Sequence, residues 1–202
     1  MQMGIKIMSL LPEITVIAGP NGSGKSTITS LTKITGVYIN ADDIKKSTHC
    51  SDPEAAISAT ELREKCLRNK QDFTFETVLS TTRNLDLLKE AKRNGYFIRC
   101  IYILTADENI NVSRVKTRKL AGGHDVPEDK IRKRFKKALE IIPELVEVCD
   151  IMHIYDNSEN KPFRIFKKRK TKFFGESNCN WTLVDIKKLT GINELNSFSN
   201  KS

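Results

Sequence analysis

With 202 residues, of which 39% are hydrophobic and 29% charged, the chain is sized for one domain with a buried core and is too polar for a membrane protein. Its net charge of +9, from 34 basic and 25 acidic residues, draws anions of any kind: nucleoside phosphates, nucleic acid or an acidic protein partner. Five scattered cysteines (Cys50, Cys66, Cys100, Cys149 and Cys179), with no Cys-x-x-Cys pair, argue against a disulfide framework or a zinc site and fit a reducing cytoplasm, where we place the protein.

The opening MQMGIKIMSLLPEI has one lysine and no long apolar stretch before a small-residue cleavage site, so no secretory signal is expected. The longest apolar runs, such as residues 14–18 and 101–104, fall far short of the roughly 20 residues that span a bilayer. Residues 13–18 (EITVIA) read as a strand, followed by a glycine loop and a helix over 25–33. A second strand is expected at 37–40, then a helix over 53–69 whose Ala55, Ala59, Leu62 and Cys66 share a face. A third strand at 73–76 leads to a helix marked by Leu85, Leu88 and Ala91 and closed by Gly95. Residues 96–104 are the longest strand candidate and 151–155 the last. Between them lie two basic helices, 107–121 and 128–148, joined by GGHDVP; Pro127 suits a first turn and Pro143 interrupts.

This alternation predicts an α/β fold, a parallel sheet covered by helices on both faces. Residues 1–158 form the expected core, with a basic helical lid at about 107–148. Residues 159–190 are expected to form a small basic appendage, a hairpin of 163–170 with 181–184, and 191–202 a disordered polar tail.

The strongest signal is Gly19-Pro20-Asn21-Gly22-Ser23-Gly24-Lys25-Ser26, followed by Thr27: G-x-x-x-x-G-K-[ST] between a strand and a helix. Its glycines let backbone N–H groups curl around phosphate oxygens at a helix N-terminus. Lys25 then reaches the β- and γ-phosphates of ATP, and the Ser26 hydroxyl ligates Mg²⁺. No LSGGQ signature is present, the one Asn-Lys-x-Asp string (Asn69-Lys70-Gln71-Asp72) precedes the third strand candidate, and the chain is too short for a motor or ring subunit. The small-kinase group remains.

On the acceptor side, Asn40-Ala41-Asp42-Asp43-Ile44 follows the second strand, at the edge of the sheet where ligands bind. Asp42 is assigned as the base for an attacking hydroxyl and Asp43 as the helix cap. Glu76 and Thr77 end the third strand and can contact the acceptor, as can Arg83; Ser80, Thr81 and Thr82 can contact it or cap the next helix. In the lid, Arg114 and Arg118 share a helical face with Ile110, Thr117 and Ala121. In the next helix Arg132 and Arg134 flank a stripe of Ile131, Phe135, Leu139 and Ile142. At least one of the four arginines is expected to stabilise charge on the transferring phosphoryl group, and His124, in the connecting loop, is a candidate substrate contact.

Taken together, AGPNGSGKST, YINADDI, FETVLSTT, RNGYFIRCIYI, RVKTRKLAGGHDVPEDKIRKRF and IYDNS, in that order over residues 14–158, resemble the zeta-toxin-like P-loop kinases. The resemblance implies phosphorylation of a hydroxyl on the amino sugar of UDP-N-acetylglucosamine, and an antitoxin partner. It further implies Lys25 as the phosphate-loop lysine, Asp42 as general base, Glu76 and Thr77 at the sugar nucleotide, and Arg114 or Arg118 as catalytic arginine. Where longer toxins carry a second functional arginine before Thr-Pro, this chain has His124 before Asp-Val-Pro: either His124 replaces it, or Arg132 or Arg134 does, or the activity has drifted.

Two other readings stand beside this one. A kinase for another acceptor, such as a nucleoside, a sugar or a nucleic-acid end, gains support from the basic, phenylalanine-rich residues 161–174. A nucleotide-dependent interaction module without acceptor chemistry would be indifferent to Asp42→Asn.

Overall fold

The computed structural model describes residues 11–123 and 125–198. The reading of the leader therefore falls largely outside the described residues, and so does His124. The strand β1 (Glu13–Ala18) is buried on both faces, from Ile14 to Ala18, as a central parallel strand must be. After it come α1 (Lys25–Ser30), β2 (Val37–Ile39), α2 (Ala41–Thr48), α3 (Asp52–Arg68), β3 (Phe73–Thr77), α4 (Thr82–Arg93) and β4 (Phe97–Leu104). The lid consists of α5 (Glu108–Leu120) and α6 (Glu128–Glu140), and α7 (Ile142–Val148) leads into β5 (Ile151–Asp156). The chain continues through β6 (Phe163–Arg169), β7 (Lys172–Gly175) and α8 (Leu183–Thr190).

The seven strands form one sheet in the order β2-β3-β1-β4-β5-β6-β7. The first five are parallel, as expected, whereas β6 and β7 run antiparallel. Residues after 159 therefore extend the main sheet and do not stand apart as an appendage. The hairpin also differs from its expected form: β6 turns at Lys170–Thr171 into β7, and residues 181–182 lead into α8 instead. Lys170 adopts φ 54°, a left-handed position usually given to glycine or asparagine, which removed the turn signal from the sequence. The tail expected to be disordered is in place through residue 198: Asn196 exchanges backbone bonds with Phe173 and Gly175, each 2.9 Å.

Local chemistry accounts for the helix boundaries. Ser51 and Glu54 form a reciprocal capping box ahead of α3, and Pro53 occupies its first turn. Pro143 breaks the long basic helix into α6 and α7. The core between the sheet and α3, α4 and α7 includes Phe73, Phe75, Leu85, Leu88, Ile98 and Leu145. The Tyr102 hydroxyl donates to the Ala138 carbonyl across 2.7 Å, tying the sheet to α6. On α3 the inward stripe is Ala55, Ala59, Arg63, Cys66 and Leu67; the expected Leu62 is 40% exposed and Arg63 only 6%. In α5 the buried face is Asn111, Val112 and Val115, not the face of Ile110, Thr117 and Ala121. Val112 and Val115 pack with Val126 and Ile131, which joins the two lid helices.

Candidate active site

A cleft of about 1260 Å³ opens where the parallel strands end, bounded by the glycine loop, α2, α3, the residues after β3 and the lid. Single-ligand pockets hold about 300–1,000 Å³, so this one suits two substrates side by side. A smaller hollow of about 470 Å³ between β7 and residues 191–196 has only Lys172 and Glu194 as charged lining and holds none of the expected site residues.

The loop from Gly19 to Ser26 wraps one wall. Gly24, at φ 94°, is the left-handed N-cap of α1, and a Cβ there would collide with the Asn157 side chain. Two asparagines absent from the sequence reading hold the loop from outside. Asn157 donates to the Ser23 carbonyl (2.8 Å), and Asn111 donates to the Asn21 carbonyl (2.5 Å). Arg134 reaches Asn21 Oδ1 at 3.4 Å, so the lid helix α6 touches the loop as well.

The Lys25 ammonium turns in under the loop, donating to the carbonyls of Gly19 (2.7 Å) and Pro20 (3.0 Å). The residue as a whole is half-buried. Burial depresses its pKa to about 8 against the opposing charges of Glu76 and Asp42, with Arg118 adding to the depression. Glu76 lies on β3 and accepts from Thr29 Oγ1 (2.6 Å) and the Tyr38 hydroxyl (2.7 Å), both on Oε1. Burial pushes the Tyr38 phenol upward, so it remains a proton donor at neutral pH.

Asn40 caps α2: its Oδ1 accepts from the Asp42 amide at 2.9 Å. Asp43 was expected in that role, but it faces Lys46 at 3.7 Å instead. The helix begins at Ala41, three residues earlier than a cap at Asp43 would require, and an asparagine precedes it. Asp42, freed from capping, lines the cleft. Thr77 lines it too, but its hydroxyl accepts from the Leu79 amide (3.0 Å) and Asn84 Nδ2 (2.8 Å), a brace for the turn after β3.

Three of the four lid arginines, Arg114, Arg118 and Arg134, border the cleft. Arg114 Nη1 donates to the Asn157 carbonyl (2.8 Å) and Nη2 to that of Ser158 (3.3 Å), so it also fixes the residue that holds the loop. Arg132 does not join them. It pairs with Glu108 (3.0 Å) and Glu128 (2.8 Å) and donates to Asn109 (2.9 Å), because α5 and α6 present two carboxylates on the side away from the cleft. Arg83 borders the cleft as expected, and Arg63, unexpected, forms part of its floor.

Ser26 borders the cleft on the first turn of α1. Among the described residues no cluster of three histidine, cysteine, aspartate or glutamate side chains could hold a metal ion. A Mg²⁺ ion arriving with a nucleotide would find the Ser26 hydroxyl beside the phosphate loop. In the basic segment, Phe166 stacks on Phe173, Lys167 lies over Phe174 and Arg164 over Phe198, so these rings already face the chain's own groups. Among the described residues no helix is long and apolar enough to cross a membrane.

Comparison with known proteins agrees with this fold. An uncharacterized protein of Haemophilus influenzae is 31% identical over 123 residues, 58% of this chain and 88% of that one. The fold is similar to the crystal structure of AvrRxo1-ORF1:-ORF2 with ATP, with a TM-score of 0.64, 17% identity and 83% of this chain covered. This chain spans only 61% of that one. It is also similar to the PezAT chromosomal toxin–antitoxin system of Streptococcus pneumoniae, with a TM-score of 0.59, 15% identity, and coverage of 93% of this chain and 81% of that one. The family model for zeta toxin matches residues 6–171, most of the sequence and every element that builds the cleft. With a P-loop-kinase fold, a phosphate loop facing Asp42 and an arginine-bearing lid, the chain belongs to the zeta toxin family.

Proposed function

We propose that the protein is an ATP-dependent kinase that phosphorylates a hydroxyl of UDP-N-acetylglucosamine, acting in the cytoplasm as the toxin of a toxin–antitoxin pair. The observation that carries the reading is the convergence of Lys25, Asp42 and the cleft-facing arginines on one cleft large enough for donor and acceptor. Asp42 is the one acid on α2 with neither a capping bond nor an ion pair among the described residues, so it is free to take a proton. Glu76 holds its place through Thr29 and Tyr38 and sets the charge around Lys25.

In the reaction, Asp42 accepts the proton of the acceptor hydroxyl as that oxygen attacks the γ-phosphorus of ATP. The bond to the β–γ bridging oxygen breaks, and ADP leaves with that electron pair. Lys25 exchanges the loop carbonyls for β- and γ-phosphate oxygens, and Arg118 and Arg134 stabilise the charge that spreads over the transferring group. Mg²⁺, held at the Ser26 hydroxyl, supplies additional neutralisation of the phosphates when bound.

The test is transfer of label from γ-labelled ATP to UDP-N-acetylglucosamine by the whole protein, beside Lys25→Ala and Asp42→Asn. Label should appear on the sugar nucleotide and vanish in both variants, while Asp42→Asn still binds ATP. Transfer that persists in Asp42→Asn would remove Asp42 as base. Absence of label on any UDP-sugar, with ATP bound, would refute the proposed acceptor.

A further inference from the structure

The floor of the cleft contains a charge that the mechanism above does not use. Arg63 is 6% exposed, yet among the described residues it has no carboxylate partner. Its Nη2 donates to Thr60 Oγ1 (2.9 Å), its guanidinium lies 5.3 Å from the centre of the Phe75 ring, and its Nε is buried without a hydrogen-bond partner. Burial, with the neighbouring Arg83 adding to it, outweighs the opposing charge of Glu64 and depresses Arg63 to about 10. Arg83 also borders the cleft and likewise has no carboxylate partner among the described residues.

A buried guanidinium with an unmade hydrogen bond and a like charge for a neighbour is costly for the fold. A stacking role on Phe75 accounts for the packing of the side chain but not for the open donor or for Arg83. An anion resolves both, and guanidinium donors match phosphate oxygens in shape as well as charge. The cleft that Arg63 and Arg83 line also includes the loop with Lys25, to which the proposed reaction gives the ATP phosphates, and Asp42, to which it gives the acceptor hydroxyl.

We infer that Arg63 and Arg83 form a second anion subsite that binds a phosphate group carried by the acceptor, so that the enzyme selects phosphorylated acceptors over free sugars or nucleosides. The inference rests on the kinase reading for which half of the cleft is the acceptor's, but the subsite binds phosphate whether or not transfer follows. Arg63, fixed in α3, gives the subsite its position, and Arg83, exposed, closes over the bound group.

Equilibrium binding to the whole protein, with the ATP site saturated by Mg²⁺ and a non-hydrolysable ATP analogue, separates this inference from catalysis. The probes are UDP-N-acetylglucosamine, N-acetylglucosamine 1-phosphate, inorganic pyrophosphate and plain N-acetylglucosamine. At least one phosphate-bearing probe should bind more tightly than plain N-acetylglucosamine. Arg63→Met should weaken that probe about ten- to a hundred-fold, as loss of a charge-assisted hydrogen bond does. Arg63→Lys should recover only part of the loss, and the affinity for the ATP analogue should not change.

Thermal unfolding without ligand supplies an independent reading, since removing an uncompensated buried charge leaves Tm equal or higher. The subsite is disproved if no phosphate-bearing probe outbinds the plain sugar, or if Arg63→Met binds every probe as the wild type does. A failure of label transfer with the binding pattern intact would sink the kinase reading alone.

Discussion

Replacing Lys25 by methionine separates the role of this lysine in the fold from its role toward the nucleotide. The ammonium is enclosed by its own loop, and burial holds it at about 8, against 10.5 in the unfolded chain. That drop corresponds to a penalty of about 3 kcal/mol on the charged form at neutral pH. The bonds to the Gly19 and Pro20 carbonyls are lost in the variant, and the residue is only half-buried, so the expected net gain for Lys25→Met is about 1–2 kcal/mol. For a chain of this size the gain raises Tm by about 2–8 °C.

The sign of the pH dependence follows from the direction of the shift. The folded value lies below the unfolded one, so between about pH 8 and 10.5 the unfolded chain binds more protons than the folded one. Wild-type stability therefore rises relative to Lys25→Met across that window, and the gap between the two should shrink by at least half from pH 7 to about pH 9.5. Differential scanning fluorimetry of both proteins at the two pH values, with and without Mg²⁺ and ATP, is the assay. ATP should stabilise the wild type far more than the variant, because its phosphates favour the charged ammonium. A variant less stable than wild type at pH 7, or a gap that does not narrow, would show that Lys25 supports the loop more through its carbonyl bonds than it destabilises it by burial.

Two further outcomes follow from the placement of side chains around the site. Arg134→Ala should lower kcat for phosphoryl transfer by about 10- to 1,000-fold, as loss of transition-state charge stabilisation does, whereas Arg132→Ala should stay within about threefold of wild type. Labelled-ATP kinetics on the two variants would overturn the assignment if their order were reversed. Asp156, 2% exposed, accepts from Ser158, Asn178 and Asn180; Asp156→Ala should cost about 2–4 kcal/mol by urea unfolding. A loss below about 0.5 kcal/mol would show that these amides find other partners.

Contiguous chemistry was legible in the sequence, and chemistry assembled across elements was not. The phosphate loop could be read because its residues adjoin in the chain and their spacing is itself the mechanism. The placement of Asp42 and Glu76 at the cleft could be read because strand ends in a parallel sheet meet at one edge. Arg63 was hidden by a one-position ambiguity: positions 62 and 63 both neighbour the stripe of Ala55, Ala59 and Cys66, and hydrophobicity favoured Leu62. The wall facing that stripe is a polar cleft on one side, so the arginine turns inward and the leucine outward. Arg132 carried a local signal, since Glu128 precedes it by four residues on the same helix, a spacing that favours an ion pair. Asn111 and Asn157 carried none, because an asparagine that braces a loop from 90 or 134 residues away is set by tertiary contact alone.

The edges of the sheet limit how another protein can recognise this one. One edge, β2, is three residues long, too short a template for an added strand. At the other, Phe173 and Gly175 of β7 already spend their outward carbonyl and amide on Asn196. Strand addition, which captures a partner through main-chain bonds at low sequence selectivity, therefore finds little foothold on the described residues. A protein that restrains this one must recognise side chains, and its specificity can accordingly be rewritten by single surface substitutions on either chain.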